Sequence, residues 1–167
     1  MSADKVDLNQ HRKFHSQLSE EIGVFKLAMP YVYTSEAFNN VRNVMSFFID
    51  TIAPHFEGEE RNLFPVALVL GNMQIKQAVR ELQHEHITML GKMDVLKEVI
   101  LKLGFSINDE QVKDEFVRLS KDIIELIILH ARKEDEELFP YLENIDEDLL
   151  KQVAELKDKS NRANTNR

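Results

Sequence analysis

The stretches HFEGEERNLFP, from His55 to Pro65, and HARKEDEELFP, from His130 to Pro140, share one pattern. Each has a histidine four residues before a glutamate, and each ends in Leu-Phe-Pro. Four residues make about one turn of an α-helix, so each histidine and its glutamate share one helix face. The Leu-Phe-Pro endings predict core packing and the end of a helix. The same polar pair therefore occurs twice, each time followed by the same apolar ending.

This pattern belongs to a longer repeat. A shift of 75 positions lays His55 on His130 and also lays His11 on His86. The interval from His11 to His55 therefore equals that from His86 to His130, at 44 residues. Outside such positions the two halves have diverged. The chain is interpreted as two copies of one helical hairpin.

Apolar residues recur at helical spacing in four long segments, separated by loops that contain proline, glycine or helix-capping residues. No segment is confidently interpreted as a β-strand. The predicted fold is all-α, an up-down-up-down four-helix bundle made of two pseudo-repeated hairpins. A short C-terminal helix is predicted over 146–156. One domain is expected over 1–167, with the bundle over about 8–143 and a frayed tail over 159–167.

Local signals predict where the helices begin and end. Ser35 is the expected N-cap of the second helix, and Asn108 or Asp109 that of the fourth. Gly104 is the expected C-cap of the third helix. Pro54 lies within the second helix and has no N–H group, so a kink or an interruption is expected there.

The predicted loops lie where they bring the repeated side chains to one level. In two antiparallel helices, residues equidistant from the turn have the same height. The midpoint of His11 and His55 is position 33, and that of His86 and His130 is position 108, each inside a predicted loop. Glu59 and His86 are centred between positions 72 and 73, in the glycine turn. All four helices are therefore expected to contribute to one polar layer.

The polar layer is predicted to face the core. His130 and Glu134 continue the apolar stripe of the fourth helix, and His55 and Glu59 continue that of the second. Burying carboxylates and imidazoles without a partner costs several kcal/mol each, and a bound metal cation removes this cost. Imidazole and carboxylate ligands without sulfur suit iron or another first-row metal. Two carboxylates shared at the pseudo-twofold axis would bridge two metal ions.

Composition excludes other classes of protein. The 167-residue chain has a net charge of −8 and no sustained basic run, which excludes a nucleic-acid-binding surface. It has no cysteine, so disulfides, thiolate metal sites and a cysteine nucleophile are excluded. The N-terminal residues are too polar for a signal peptide, and the longest apolar stretch, Ile123 to Leu129, is too short to cross a bilayer. A cytoplasmic protein without a membrane partner is expected.

These features together resemble the hemerythrin-like family, also called the HHE cation-binding domain. The family pattern is one histidine, then HxxxE, then one histidine, then HxxxE, and EHITML from Glu85 is similar to its usual third-helix entry. The resemblance implies a four-helix bundle around two non-heme iron ions, bridged by an oxo group and carboxylates. It implies six metal ligands, namely His11, His55, Glu59, His86, His130 and Glu134.

The sequence departs from the oxygen-carrying hemerythrins at one ligand. Those proteins have a further histidine one turn along the third helix, whereas here Leu90 is four residues after His86. The first helix instead has His15 four residues after His11. His15 is either the fifth histidine ligand, moved to the other half, or a histidine at the rim of the site. His84 lies about 200° around the helix from His86 and is expected to face solvent or a helix edge.

Two classes of function follow from the resemblance. The first is reversible binding of O2 or NO for carriage, storage or sensing, by a metal- and oxygen-binding protein rather than an enzyme. The second is a redox or stress-response role: peroxide or NO chemistry, iron–sulfur centre repair or iron delivery. Three histidines on one iron and two on the other favour the first class. Two histidines on each iron favour the second. A bundle that holds a single metal is a third interpretation.

One feature weighs against repair of iron–sulfur centres. The related repair proteins usually carry an added N-terminal domain with cysteines, and this chain has no cysteine. The small ligand, O2 or NO, is the only partner predicted, since no motif in the sequence identifies a protein partner.

Overall fold

The computed structural model describes residues 8–105 and 109–145, which form helices joined by short turns. A 3-10 turn, Met29–Tyr31, follows the first helix. The predicted all-α four-helix bundle is confirmed, whereas the predicted helix over 146–156 and the tail over 159–167 lie outside the described residues. The α-helices are α1 Leu8–Ala28, α2 Ser35–Gly58, α3 Phe64–Leu70, α4 Met73–Phe105, α5 Glu110–Lys133 and α6 Phe139–Glu143.

Each half of the chain forms one helical hairpin. Helix α1 packs against α2, α4 packs against α5, and α2 also contacts α4. The predicted apolar stripes face inward, and on α2 the stripe residues Val41, Val44, Met45, Phe48 and Ile52 are all buried. Within residues 8–105 and 109–145, none of the helices combines the length and the apolar content needed to cross a bilayer.

The core consists of two apolar clusters that follow one another along the bundle. The larger cluster, which includes Phe48 and Phe116, fills the half near the first loop. The smaller cluster, which includes Phe64, Leu82 and Phe139, fills the opposite end. The predicted polar positions fall between these clusters along every long helical stretch. Burial of the two clusters therefore fixes the height of the polar layer.

Two of the predicted helix ends are wrong and one is confirmed. Thr34, rather than Ser35, is the N-cap of α2, because its backbone is extended and its Oγ1 accepts a hydrogen bond from the Ala37 N–H at 3.4 Å. Asp109 caps α5 as expected and accepts two backbone N–H groups. Gly104 is not a C-cap, since α4 continues to Phe105.

Pro54 does not interrupt α2. The helix runs without a break from Ser35 to Gly58, with Pro54 inside it. A proline leaves the carbonyl four residues earlier without its helical donor, and here that carbonyl belongs to Asp50. Both Asp50 and Pro54 are exposed, so water can solvate the carbonyl and the helix persists. The irregularity expected at Pro54 lies farther along the chain.

Each Leu-Phe-Pro ending starts a new helical segment instead of ending a helix. The π-helical turns Glu59–Leu63 and Glu134–Leu138 join α2 to α3 and α5 to α6. In each turn, the phenylalanine N–H donates to the carbonyl of the glutamate five residues earlier. The proline, which has no N–H, then lies in the first turn of the next helix. The predicted core packing is confirmed, because both leucines and both phenylalanines are buried.

Candidate metal centre

Seven polar side chains form one layer between the two apolar clusters. All four long helical stretches contribute to it, and each side chain exposes at most 9% of its surface. Each π turn contributes one glutamate, and this glutamate is the first residue of the turn. The structure thus brings together all seven residues singled out in the sequence: His11, His15, His55, Glu59, His86, His130 and Glu134.

Four of these side chains converge at the α4–α5 position, which comprises His86, His130, Glu59 and Glu134. Nε2 of His86 lies 3.2 Å from Nε2 of His130 and 3.2 Å from Oε2 of Glu59. Nε2 of His130 lies 3.6 Å from Oε1 of Glu134. Two nitrogen ligands about 2.1 Å from one ion and at right angles are about 3 Å apart. The four side chains can therefore hold one metal ion.

A second group, the α1–α2 position, comprises His15, His55 and the same two glutamates. Nε2 of His15 lies 3.2 Å from Oε2 of Glu134, and Nε2 of His55 lies 2.6 Å from Oε1 of Glu59. His11 adjoins this position, with Nδ1 3.5 Å from Oε1 of Glu59. That buried nitrogen has no hydrogen-bond partner among the described residues. The two positions thus share both glutamates.

Three of the histidines have a carboxylate on the ring nitrogen that faces away from the layer. In each case the nitrogen is Nδ1, and we call these side chains the outer carboxylates. The distances from Nδ1 to the carboxylate oxygen are 3.1 Å for His86 and Glu60, 2.9 Å for His130 and Glu85, and 3.0 Å for His15 and Asp135. A carboxylate has no proton to give, so each Nδ1 donates its own. In a neutral imidazole, a proton on Nδ1 leaves Nε2 with a free lone pair. When neutral, each of these three imidazoles therefore directs an Nε2 lone pair into the layer.

The two glutamates of the layer are fully buried carboxyl groups. Glu59 and Glu134 have no exposed surface, and neither carboxylate has a hydrogen-bond partner with acceptable geometry in the described structure. Burial raises the pKa of Glu59, but the nearby nitrogens of His11, His55 and His86 outweigh burial and hold that pKa well below its usual value. Two buried carboxylates without a counter-charge would cost several kcal/mol each. A cation bound between them fits this environment.

Two carboxylates adjoin the imidazole of His15, Glu134 at Nε2 and Asp135 at Nδ1. Burial lowers the pKa of His15, but the carboxylates of Glu134 and Asp135 outweigh that effect, so its pKa is raised above its usual value. The side chain is 9% exposed, which equals the value for His11 and is the highest in the layer. The structure therefore places His15 within the layer.

Phenylalanine rings fix the planes of two layer histidines. Phe56 stacks on His86 with ring centroids 3.8 Å apart and an interplanar angle of 12°. Phe14 stacks on His55 at 3.9 Å and 25°. Phe64, from the Leu-Phe-Pro segment, also stacks on His86, at 5.3 Å. These apolar rings limit rotation of the imidazoles and keep water from their faces. Packing and hydrogen bonds therefore both orient the histidines.

The contacts revise the register of the repeat. His86 contacts a layer glutamate and the acidic residue that follows that glutamate in the sequence. In the other half, His15 makes the two equivalent contacts, although the shift of 75 positions pairs His86 with His11. The first helix is therefore offset by one turn relative to the sequence repeat. His11 is the additional histidine of this half.

Sequence reasoning did not identify the outer carboxylates Glu60, Glu85 and Asp135. A signal was present, since each of them is adjacent in the sequence to a residue of the layer. Adjacent residues on a helix point about 100° apart, and the partner of each carboxylate lies on another helix. The prediction for His84 is confirmed, because its side chain is exposed.

The comparison with known families agrees with the fold and with this layer. The family model described as the hemerythrin HHE cation binding domain matches residues 8–142, which cover most of the chain. No curated protein and no solved structure is significantly similar to the sequence. The matched residues include all four long helical stretches and every histidine and glutamate of the polar layer. The chain therefore belongs to the hemerythrin HHE cation-binding domain family.

Proposed function

We propose that this chain is a non-heme di-iron protein that binds O2 or NO reversibly, for carriage, storage or sensing. One observation carries the proposal: imidazole nitrogens and carboxylate oxygens converge at two positions, and no oxygen of the two buried glutamates has a hydrogen-bond partner of acceptable geometry among the described residues. A cation at each position accepts the lone pairs and compensates the buried carboxylates. The proposed ligands are His11, His15, His55, Glu59, His86, His130 and Glu134.

The ligand types support iron, and the shared carboxylates support two ions. Histidine nitrogens with carboxylate oxygens form the ligand set typical of non-heme iron centres with open positions, and the chain has no cysteine sulfur to offer. Glu59 and Glu134 belong to both positions, so each can place one oxygen on each ion. Bound iron would supply the open coordination position for a diatomic ligand.

The distribution of histidines supports ligand binding over turnover. His11, His15 and His55 adjoin the α1–α2 position, whereas only His86 and His130 adjoin the α4–α5 position. With the two shared glutamates, the first position has five protein ligands and the second has four. An external ligand therefore has more room at the α4–α5 position. This three-to-two division is the arrangement that favours reversible O2 binding.

An apolar cavity beside the layer supports a small ligand. It provides about 10 Å³ for the centre of a water-sized sphere, which is room for about one molecule of that size. Its walls favour a neutral diatomic molecule over a charged or larger substrate. The cavity is lined by His15, His55 and His130 and by Phe14, Leu18, Ile52, Phe56, Met89, Ile127 and Ala131.

Optical titration with O2 tests this function. Reduced, iron-loaded protein should show a change in visible absorption on exposure to O2, and the change should reverse when O2 is removed. His15→Ala should abolish the reversibility and retain most of the iron, because the α1–α2 position loses one of its three histidines and becomes open as well. Irreversible oxidation of both proteins, with the same spectra, would replace the binding function by the redox or repair function.

Two histidines of α4 provide a matched pair for the ligand assignment. His86→Ala should weaken iron binding at the α4–α5 position by at least about tenfold. His84→Ala should leave the iron content unchanged, because His84 is exposed two residues away on the same helix. Metal analysis after anaerobic reconstitution measures both. Equal iron contents in the two variants would remove His86 from the ligand set.

A further inference from the structure

We propose that the outer carboxylates make the two metal positions unequal, so that the α4–α5 position retains its ion and the α1–α2 position exchanges it. This inference rests on the proposed function, because it requires both positions to bind metal. It assigns Glu60 and Glu85 as positioning residues for His86 and His130. It assigns Asp135 as the weaker counterpart at His15.

Glu60 is held at both of its oxygens. Oε1 lies 3.1 Å from Nδ1 of His86, and Oε2 accepts a hydrogen bond from Nε2 of Gln83 at 2.7 Å. Gln83 lies three residues before His86 on α4, so one helix holds both the imidazole and the amide. Phe56 stacks on the same imidazole. The ring of His86 is therefore fixed in both its plane and its tautomer.

Glu85 orients His130 in the same way, and its second oxygen is bound by the ammonium group of a lysine. Oε2 lies 2.9 Å from Nδ1 of His130, and Oε1 accepts from Nζ of Lys133 at 2.6 Å. Both oxygens of Glu85 are therefore held. Lys133 also donates to Glu81, which contacts no histidine.

The α1–α2 position has weaker support. Asp135 lies 3.0 Å from Nδ1 of His15, but its side chain is 52% exposed, compared with 37% for Glu60 and 28% for Glu85. Among the described residues, no carboxylate from outside the layer contacts His11 or His55. An exposed carboxylate is screened by water and salt, so it fixes and polarises its imidazole less.

The physical consequence is a difference in ion retention. A carboxylate that accepts the outer N–H of a ligating histidine orients the ring and raises its basicity. Loss of such a partner lowers metal affinity by about 10- to 100-fold. Within residues 8–105 and 109–145, two well-held carboxylates support the α4–α5 position, and one exposed carboxylate supports the α1–α2 position. Ions are therefore expected to leave the α1–α2 position first, provided that the support of the outer carboxylates outweighs the one additional protein ligand at that position.

Metal release tests the inference without any assay of O2 binding. Wild-type protein loaded anaerobically with ferrous iron is mixed with an excess of a ferrous chelator, and release is followed by absorbance. Two phases of equal amplitude are expected. Glu60→Ala or Glu85→Ala should accelerate the slow phase by about 10- to 100-fold. Asp135→Ala should accelerate only the fast phase, and by less.

Glutamine variants and two controls separate positioning from packing. Glu60→Gln should release iron at a rate between wild type and Glu60→Ala, because an amide oxygen still accepts the N–H but carries no charge. Glu57→Gln and Glu81→Gln should behave like wild type, since these exposed glutamates touch no histidine. Single-phase release, or a slow phase unchanged in Glu60→Ala and Glu85→Ala, would overturn the inference. Wild-type protein that binds no iron would instead overturn the proposed function.

Discussion

Replacement of both layer glutamates, Glu59→Ala with Glu134→Ala, is expected to remove both iron ions from the protein. These two side chains contribute to both positions, so each ion loses two ligands and the negative charge that balances it. The loss of a partner outside the ligand set already costs about 10- to 100-fold in affinity, so removal of the shared ligands should exceed 100-fold at each position. Metal analysis after anaerobic reconstitution gives the stoichiometry.

A matched double variant controls for the loss of two acidic residues. Glu57→Ala with Glu137→Ala removes exposed glutamates near the same two π turns and should retain two ions. Circular dichroism of both variants should show the helical content of wild type, because neither pair of substitutions alters the apolar clusters. A Glu59→Ala/Glu134→Ala protein that keeps its full iron content would show that the metal, if bound, lies elsewhere.

Iron-loaded protein is expected to unfold at a temperature roughly 10–20 °C above that of metal-free protein. An ion present at 100 times its dissociation constant stabilises the folded state by about 2.7 kcal/mol per site, or about 5 kcal/mol for two sites. Each kcal/mol shifts the unfolding midpoint of a domain of this size by about 2–4 °C. Differential scanning calorimetry of loaded and chelator-treated protein measures the difference.

The effect should disappear in Glu59→Gln with Glu134→Gln. That protein should not unfold at a higher temperature than metal-free wild type, because the histidine nitrogens that hold the pKa of Glu59 low stabilise its carboxylate in the absence of metal, and glutamine loses that interaction. The midpoint of loaded wild type should therefore lie above those of both metal-free wild type and the double variant. A metal-free wild type that unfolds at the same temperature as the loaded protein would contradict the role of the layer as a cation site.

The helical period and the repeat predicted the bundle and the height of the layer. Apolar residues every three or four positions predicted the inward faces of α2 and α5, and those faces are buried. The equal intervals between histidines predicted that His86 and His130 would lie level, and their Nε2 atoms are 3.2 Å apart. Both predictions rest on distances along a helix, which follow from the number of residues between two positions and the rise per residue.

Contacts that depend on helix rotation and offset could not be predicted in this way. The pairing of His15 with Glu134 requires α1 to be offset by one turn relative to the repeat, and the interval of 44 residues contains no such information. The outer carboxylates meet histidines on other helices, so their partners follow only from how the helices are turned. The π turns could not be predicted, because a proline usually ends a helix. Here one added residue in the turn before the proline allows the helix to continue.

The π turns also bear on how the two halves could diverge. Each turn is equivalent to one residue inserted into an α-helix, and it separates a buried glutamate from a buried phenylalanine by five positions in both halves. Loss of that residue would rotate all that follows by about 100°, so the glutamate and the phenylalanine could not both face the core. Substitutions within the turns leave this geometry intact, as the different letters EERNL and EDEEL show. The number of residues in each turn, more than their identity, therefore has to stay constant if the glutamate and the phenylalanine are both to face the core.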